Sequence, residues 1–144
     1  MHYPGKPTDP HCNDSYTDPL IEVYDWLEDR IAAVVAAGVD KSRIIADPGI
    51  GFGKRSVMDN LQIVNGLALF HGLGVPVLLG ASRKRLVGAL SNEAPSDKRL
   101  GGSLALALKA AEQGAQIIRV HDVYESVKAI RVWRGQRDAA LSPR

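Results

Sequence analysis

The sequence predicts an α/β fold built from repeated βα units with parallel strands. The apolar runs "RIIAD" (43–47), "VPVLLG" (75–80) and "QIIRV" (116–120) are continuous, as expected of parallel strands covered on both faces, where half-exposed strands would alternate. Stretches of helical spacing separate these runs. The residues leaving the strands also recur at near-constant intervals, 35 residues from Asp47 to Ser82 and 39 from Ser82 to His121.

Each element has a local reason. Residues 1–18 carry three of the eight prolines and little periodic apolar content, which predicts an extended loop. Asp18 can cap a helix with Pro19 as its first residue. Leu20, Tyr24, Leu27, Ile31, Val34 and Val35 then form the inward stripe, and Gly38 ends it. After the first strand, 56–74 returns to helical spacing through Val57, Leu61, Val64 and Ala68, with Ser56 and Asp59 as a capping box. A third helix is expected over 99–114 with Leu104, Leu108 and Ala111 inward. A fourth, opened by Asp122 and Glu125, should carry Val123, Val127 and Ile130 on one face. Residues 19–134 are thus the folded βα units, and 135–144 are expected to form a disordered tail. Trp26 and Trp133 fall on helices and read as packing.

A 144-residue chain with 45% hydrophobic and 24% charged residues can bury one core. The net charge of +2 is too small to steer an anionic partner, so any such preference must come from where the Lys and Arg residues sit. A lone cysteine and the lack of a run of about 18 apolar residues lead to the expectation of a cytoplasmic protein. Three strands leave both sheet edges open and cannot close a barrel. The start inside a Pro-rich loop, ahead of a well-capped helix, reads as a cut after a strand, with a missing N-terminal half.

Ligands of α/β folds gather at the carboxyl ends of the strands. Leaving the first strand are Asp47, Phe52, Lys54 and Arg55; leaving the second, Ser82, Arg83, Lys84 and Arg85; at the end of the third stand Arg119, His121 and Asp122. Seven basic side chains at one rim suit a phosphate or diphosphate, with Arg119 as a bidentate grip and His121 as a further donor. "DPGIGFGKR" (47–55) resembles a nucleotide loop. Yet no glycine stands five residues before Gly53, and Lys54 occupies the third-glycine position of the dinucleotide fingerprint.

Its alternating glycines, Gly51 among them, instead let the backbone approach a flat ligand, and Phe52 offers a ring face unless it is ordinary core. Asp47, at a strand end, needs donors: the N–H groups of a planar heterocycle, a cation such as Lys84 or Arg119, or the glycine loop itself. Gly80 and Ala81 make a small turn from which Ser82 and Lys84 reach the site. His2, His11 and Cys12 are not expected to bind a metal, since a flexible Pro-rich segment holds no ligand geometry.

Taken together, "DPGIGFGK", "GASRK", "IIRVHDV" and the "GGSLA" opening the third helix resemble the C-terminal half of bacterial dihydropteroate synthases, over roughly residues 1–134. That resemblance implies the C-terminal portion of a (β/α)₈ TIM-type barrel, with about three strands and four helices present. It implies condensation of 6-hydroxymethyl-7,8-dihydropterin diphosphate with p-aminobenzoate, giving 7,8-dihydropteroate and diphosphate, with Mg²⁺ assisting the leaving group from ligands in the missing half. By motif, Asp47 and Lys84 would hydrogen-bond the pterin, Arg119 would stack on it, and Arg119 with His121 would hold the diphosphate. Ser82 and Phe52 would border the arylamine, the position that sulfonamides mimic.

Gly51 and Gly80 complete the expected substrate contacts, with Lys84, Arg119 and His121 as the catalytic set. The resemblance further implies a homodimer for the complete protein and an inactive isolated chain. The alternatives are a pterin- or folate-binding module of the methyltransferase type and a non-catalytic fragment that oligomerises.

Overall fold

The computed structural model describes residues 1–3, 5 and 15–141, so most of the expected leading loop, with His11 and Cys12, lies outside the described residues. Helix α1 spans Pro19–Ala36, and the Asp18 carboxylate accepts the N–H groups of Leu20 and Ile21. A 3₁₀ turn over Lys41–Arg43 follows, then α2 (Val57–Asn65), a 3₁₀ stretch over Leu67–Leu73, and β1 (Leu78–Leu79). The chain continues through α3 (Arg85–Leu90), a 3₁₀ turn over Ser96–Lys98, α4 (Leu100–Glu112), β2 (Ile117–Ile118) and α5 (Val123–Leu141).

β1 and β2 are parallel, with Leu78 opposite Ile117 and Leu79 opposite Ile118. The first expected strand contributes a single parallel bridge from Ala46 to Val77. Its start is drawn into the 3₁₀ turn that Asp40 caps by accepting the Ser42 N–H, and Ile45 stays 47% exposed. The expected parallel order of three segments is therefore present, with ladders shorter than the apolar runs. Between them and the helices lies one core, containing Val23, Leu27, Ile50, Ile63, Phe70, Val77 and Leu79. Burying such a side chain contributes roughly 1.5–3 kcal/mol.

The structure departs from the sequence reading in several places. The run 56–74 is two elements, because Gly66 caps α2 and the chain tightens to 3₁₀ geometry beyond it. α3 is an additional short helix. On α4 the buried stripe is Ser103, Ala107 and Ala110, with Leu104, Leu108 and Ala111 only half-buried. Ser103 is turned inward by two hydrogen bonds: it donates to the Arg99 carbonyl at 2.6 Å and accepts the Arg83 N–H at 2.9 Å. Positions 107 and 110 follow it on the helix.

On α5 only Ser126 is buried. Val123 and Val127 are exposed and Ile130 is half-buried, since among the described residues no element covers that face. The expected disordered tail is helical as far as Leu141. There the helix gains from Arg137, which stacks over Trp133 at 5.2 Å and pairs with Asp138, and from the strong helix former Ala at 139 and 140. Among the described residues no helix is long and apolar enough to cross a membrane.

Candidate active site

The site forms where the three parallel segments end. Past Ala46, the Asp47 carboxylate accepts the Gly49 N–H at 2.8 Å, so the loop cap is made, while among the described residues Asp47 forms no ion pair with Lys84 or Arg119. Gly49, Gly51 and Gly53 sit at φ +70°, +77° and +65°, a left-handed backbone that L side chains rarely adopt. Buried Asn60 secures this loop: its Oδ1 accepts the Gly51 N–H at 2.7 Å, and its Nδ2 donates to the carbonyls of Lys54 and Ser56.

At the second strand end Ser82 is buried. Its Oγ accepts the His121 N–H at 3.2 Å and stands 3.0 Å from His121 Nδ1, tying the second and third ends together. Arg83, at φ +55°, forks onto Asp122 through Nε and Nη2. That hydrogen-bonded pair raises the guanidinium pKa above its ordinary value and lowers that of the carboxyl. At the third end the Arg119 N–H donates to the Leu79 carbonyl at 2.9 Å. Its guanidinium lies over Gly80, where a Cβ would stand 2.9 Å from Nη2.

These ends enclose a cavity of about 250 Å³ lined by Phe52, Gly80, Ser82, Lys84, Arg119, Val120 and His121. Lys84 Nζ stands 3.9 Å from the centre of the Phe52 ring, which answers the question left by the sequence: Phe52 presents a face to the site. The Lys84 ammonium is pushed below its ordinary pKa first by burial and then by the Arg119 charge, while Asp47 acts in the opposite direction. Among the described residues neither Lys84, Arg119 nor His121 is in an ion pair. Lys84 and Arg119, held close together with Asp47 as the carboxylate that acts on Lys84, favour an anionic ligand.

Six of the expected residues, Phe52, Gly80, Ser82, Lys84, Arg119 and His121, therefore meet around one cavity. Asp47 stands beside it, close enough to act on Lys84. Gly51 lines an adjoining hollow of about 160 Å³ with Lys54, Arg55, Asn60, Lys84 and Arg85. The rim of seven cations is corrected. Lys54 turns inward and is 3% exposed, its Nζ meeting His2 Nδ1 at 2.8 Å and the carbonyls of Gly49 and Phe52 at 3.0 and 3.1 Å. Arg83 is spent on Asp122, and Arg85 donates to the Arg55 carbonyl.

Sequence reasoning missed His2 and Asn60. A histidine in a Pro-rich loop carries no pattern, whereas an Asn in the first turn of a helix after a glycine loop is a usable signal. Among the described residues no group of three His, Cys, Asp or Glu side chains could hold a metal ion. The donors around the cavity are an ammonium, a guanidinium, an imidazole and a hydroxyl, and these do not fit Mg²⁺, which wants carboxylate and phosphate oxygens.

The strand-end placement and the matching sequence define a class. Residues 1–121 match the family described as pterin binding enzyme, and the chain belongs to that family. Within it, the chain is 46% identical over 132 residues to the dihydropteroate synthase of Escherichia coli K12, covering 92% of this chain and 46% of that protein. Among solved structures it superposes on Xanthomonas albilineans dihydropteroate synthase in complex with 7,8-dihydropteroate, with TM-score 0.86 and 43% identity over 95% of this chain and 49% of that one. It also superposes on Yersinia pestis dihydropteroate synthase with a sulfonamide drug complex, with TM-score 0.88 and 41% identity over 96% and 50% of the two chains. The chain spans about half the length of these relatives.

Proposed function

We propose that this chain supplies the pterin- and diphosphate-holding half of a dihydropteroate synthase. The observation that carries the reading is the convergence of Lys84, Arg119 and His121 on one cavity beside Phe52, with no ion-pair partner for any of them among the described residues. Departure of diphosphate from 6-hydroxymethyl-7,8-dihydropterin diphosphate breaks a C–O bond and leaves a methylene cation delocalised into the pterin. The amine of p-aminobenzoate then forms the new C–N bond and loses a proton to solvent.

No protein nucleophile is needed. What the protein must do is hold the departing anion and keep the ring ordered. Arg119 and His121 are suited to the diphosphate, the imidazole being oriented by Ser82. Lys84, partly desolvated and next to Arg119, has reason to seek an acceptor on the pterin. Asp47 has a second carboxylate oxygen for the ring N–H groups, its Oδ1 being taken by Gly49. Phe52 borders the arylamine. Magnesium, as the counter-ion of the diphosphate, would take its protein ligands from outside the described residues. The complete enzyme would be a dimer, a reading supported by the apolar side chains exposed along α5, and would work in the cytoplasm.

Calorimetric titration tests the proposal. Pterin diphosphate should bind more tightly than the pterin alcohol, and Lys84→Ala or Arg119→Ala should each weaken the diphosphate complex about 10- to 150-fold, the worth of one charged hydrogen bond. Equal affinity for the two pterins, together with indifference to both substitutions, would sink the synthase reading.

A further inference from the structure

We infer that Lys54, fixed by His2, is a positioning residue of this site, setting where the Phe52 ring stands against Lys84. The inference rests on the synthase reading.

An ammonium has three N–H donors, and among the described residues Lys54 has three acceptors at hydrogen-bond distance: His2 Nδ1, the Gly49 carbonyl and the Phe52 carbonyl. Two of these belong to the glycine loop, and the Gly49 oxygen also accepts the Phe52 N–H at 3.0 Å. Lys54 therefore draws both ends of the 49–52 turn inward and orients the peptide that carries the Phe52 ring.

His2 is itself held firmly. It is 2% exposed, its N–H donates to the Asp47 carbonyl at 2.7 Å, and its ring stands edge-on to Trp26 of α1 at 4.9 Å. Because Lys54 donates, Nδ1 is the acceptor and the imidazole proton is assigned to Nε2. One chain of hydrogen bonds thus joins the leading segment, the backbone of Asp47 and the turn of Phe52, and the His2–Trp26 ring contact fastens it to α1. It ends on the 3.9 Å contact between the Phe52 ring and Lys84 Nζ. Lys54 does not line the Lys84–Arg119–His121 cavity, though it shares the adjoining hollow with Lys84, and its hydrogen-bonded route to the cavity runs through Phe52.

A role confined to folding would lower stability and leave substrate discrimination alone, whereas a positioning role acts on the subsite that Phe52 borders. The variants are Lys54→Met, which keeps the stem and removes the donors; His2→Leu, which removes the acceptor and leaves Lys54 its two carbonyls; and His2→Asn, whose Oδ1 can stand where Nδ1 stands. With the rest of the barrel present, Lys54→Met and His2→Leu should raise KM for p-aminobenzoate about tenfold or more. KM for pterin diphosphate should stay within about twofold, and His2→Asn should restore the wild-type values.

In the chain itself, the nuclear Overhauser contact between the Phe52 ring and the Lys84 methylenes should fade in the first two variants and persist in the third. If Lys54→Met does not fold, His2→Leu carries the test. A folded variant with unchanged p-aminobenzoate KM and an intact Phe52–Lys84 contact overturns the inference. Lys84→Ala separates the two levels: full activity in that variant removes the synthase reading, while its failure beside normal Lys54→Met and His2→Leu enzymes removes only the positioning role.

Discussion

Replacing Gly49 by alanine tests how tightly the leading segment is locked to the glycine loop. Gly49 has φ +70°, and a Cβ there would lie 2.1 Å from the carbonyl oxygen of His2. Gly38, at φ +95°, has nothing within 4 Å of the same built atom, so Gly38→Ala reads the backbone strain alone, about 1–2 kcal/mol. At Gly49 the strain is joined by a collision with backbone that cannot rotate away. The His2 oxygen must retreat by about 1.3 Å, from 2.1 to 3.4 Å, to reach ordinary contact. That movement disrupts the His2 N–H bond to the Asp47 carbonyl and stretches the His2–Lys54 bond, costing about 0.5–1.5 and 1.5–3 kcal/mol respectively. Gly49→Ala should therefore destabilise the chain by about 2–4 kcal/mol more than Gly38→Ala. Urea unfolding followed by tryptophan fluorescence measures both, and Trp26, packed on His2, reports the region directly. Equal costs for the two substitutions would refute the lock.

Two further outcomes follow from the same geometry. His2 is lowered from 6.5 to about 3, first by burial, then by the Lys54 charge and the terminal amine. Between those values the unfolded chain holds a proton that the folded chain refuses, so this contribution to stability is complete above pH 6.5 and is lost as pH falls towards 3. Relative to His2→Asn, the wild type should lose about 2 kcal/mol of unfolding free energy from about pH 7 to pH 5, and parallel pH profiles of the two proteins would count against a buried neutral His2. At Gly80 an added Cβ would press on the movable guanidinium of Arg119, 2.9 Å from Nη2 and 3.1 Å from Nε. Gly80→Ala should thus leave the thermal midpoint nearly unchanged while weakening pterin diphosphate binding about tenfold, and calorimetry with unaltered affinity would show that Arg119 does not act from this position.

Much of this protein is legible in sequence wherever the cause is local. The Asp18 cap and Pro19 start of α1, and the Ser56 cap of α2, depend on contacts within three residues, so reading the neighbours suffices. The order of the parallel segments and the placement of Asp47, Ser82, Lys84, Arg119 and His121 at their carboxyl ends are equally legible, because a strand followed by a helix delivers its last residues to the same edge each time. What the chain order cannot say is which way a side chain turns once it arrives there. Lys54 belongs to the rim by its place in the chain yet points inward, because its partner His2 lies 52 residues earlier. Arg83 is drawn aside by Asp122, 39 residues later. The inward face of α4 rotated by one position because Ser103 found Arg83 and the Arg99 carbonyl.

The sequence by itself determined the α/β class, the cap sites and the list of residues at the strand ends, since these follow from periodicity and from bonds between near neighbours. Only the tertiary structure decided which cations share the cavity and which are neutralised elsewhere. A buried ammonium or guanidinium must find acceptors, and those it finds here belong to parts of the chain that only folding brings together.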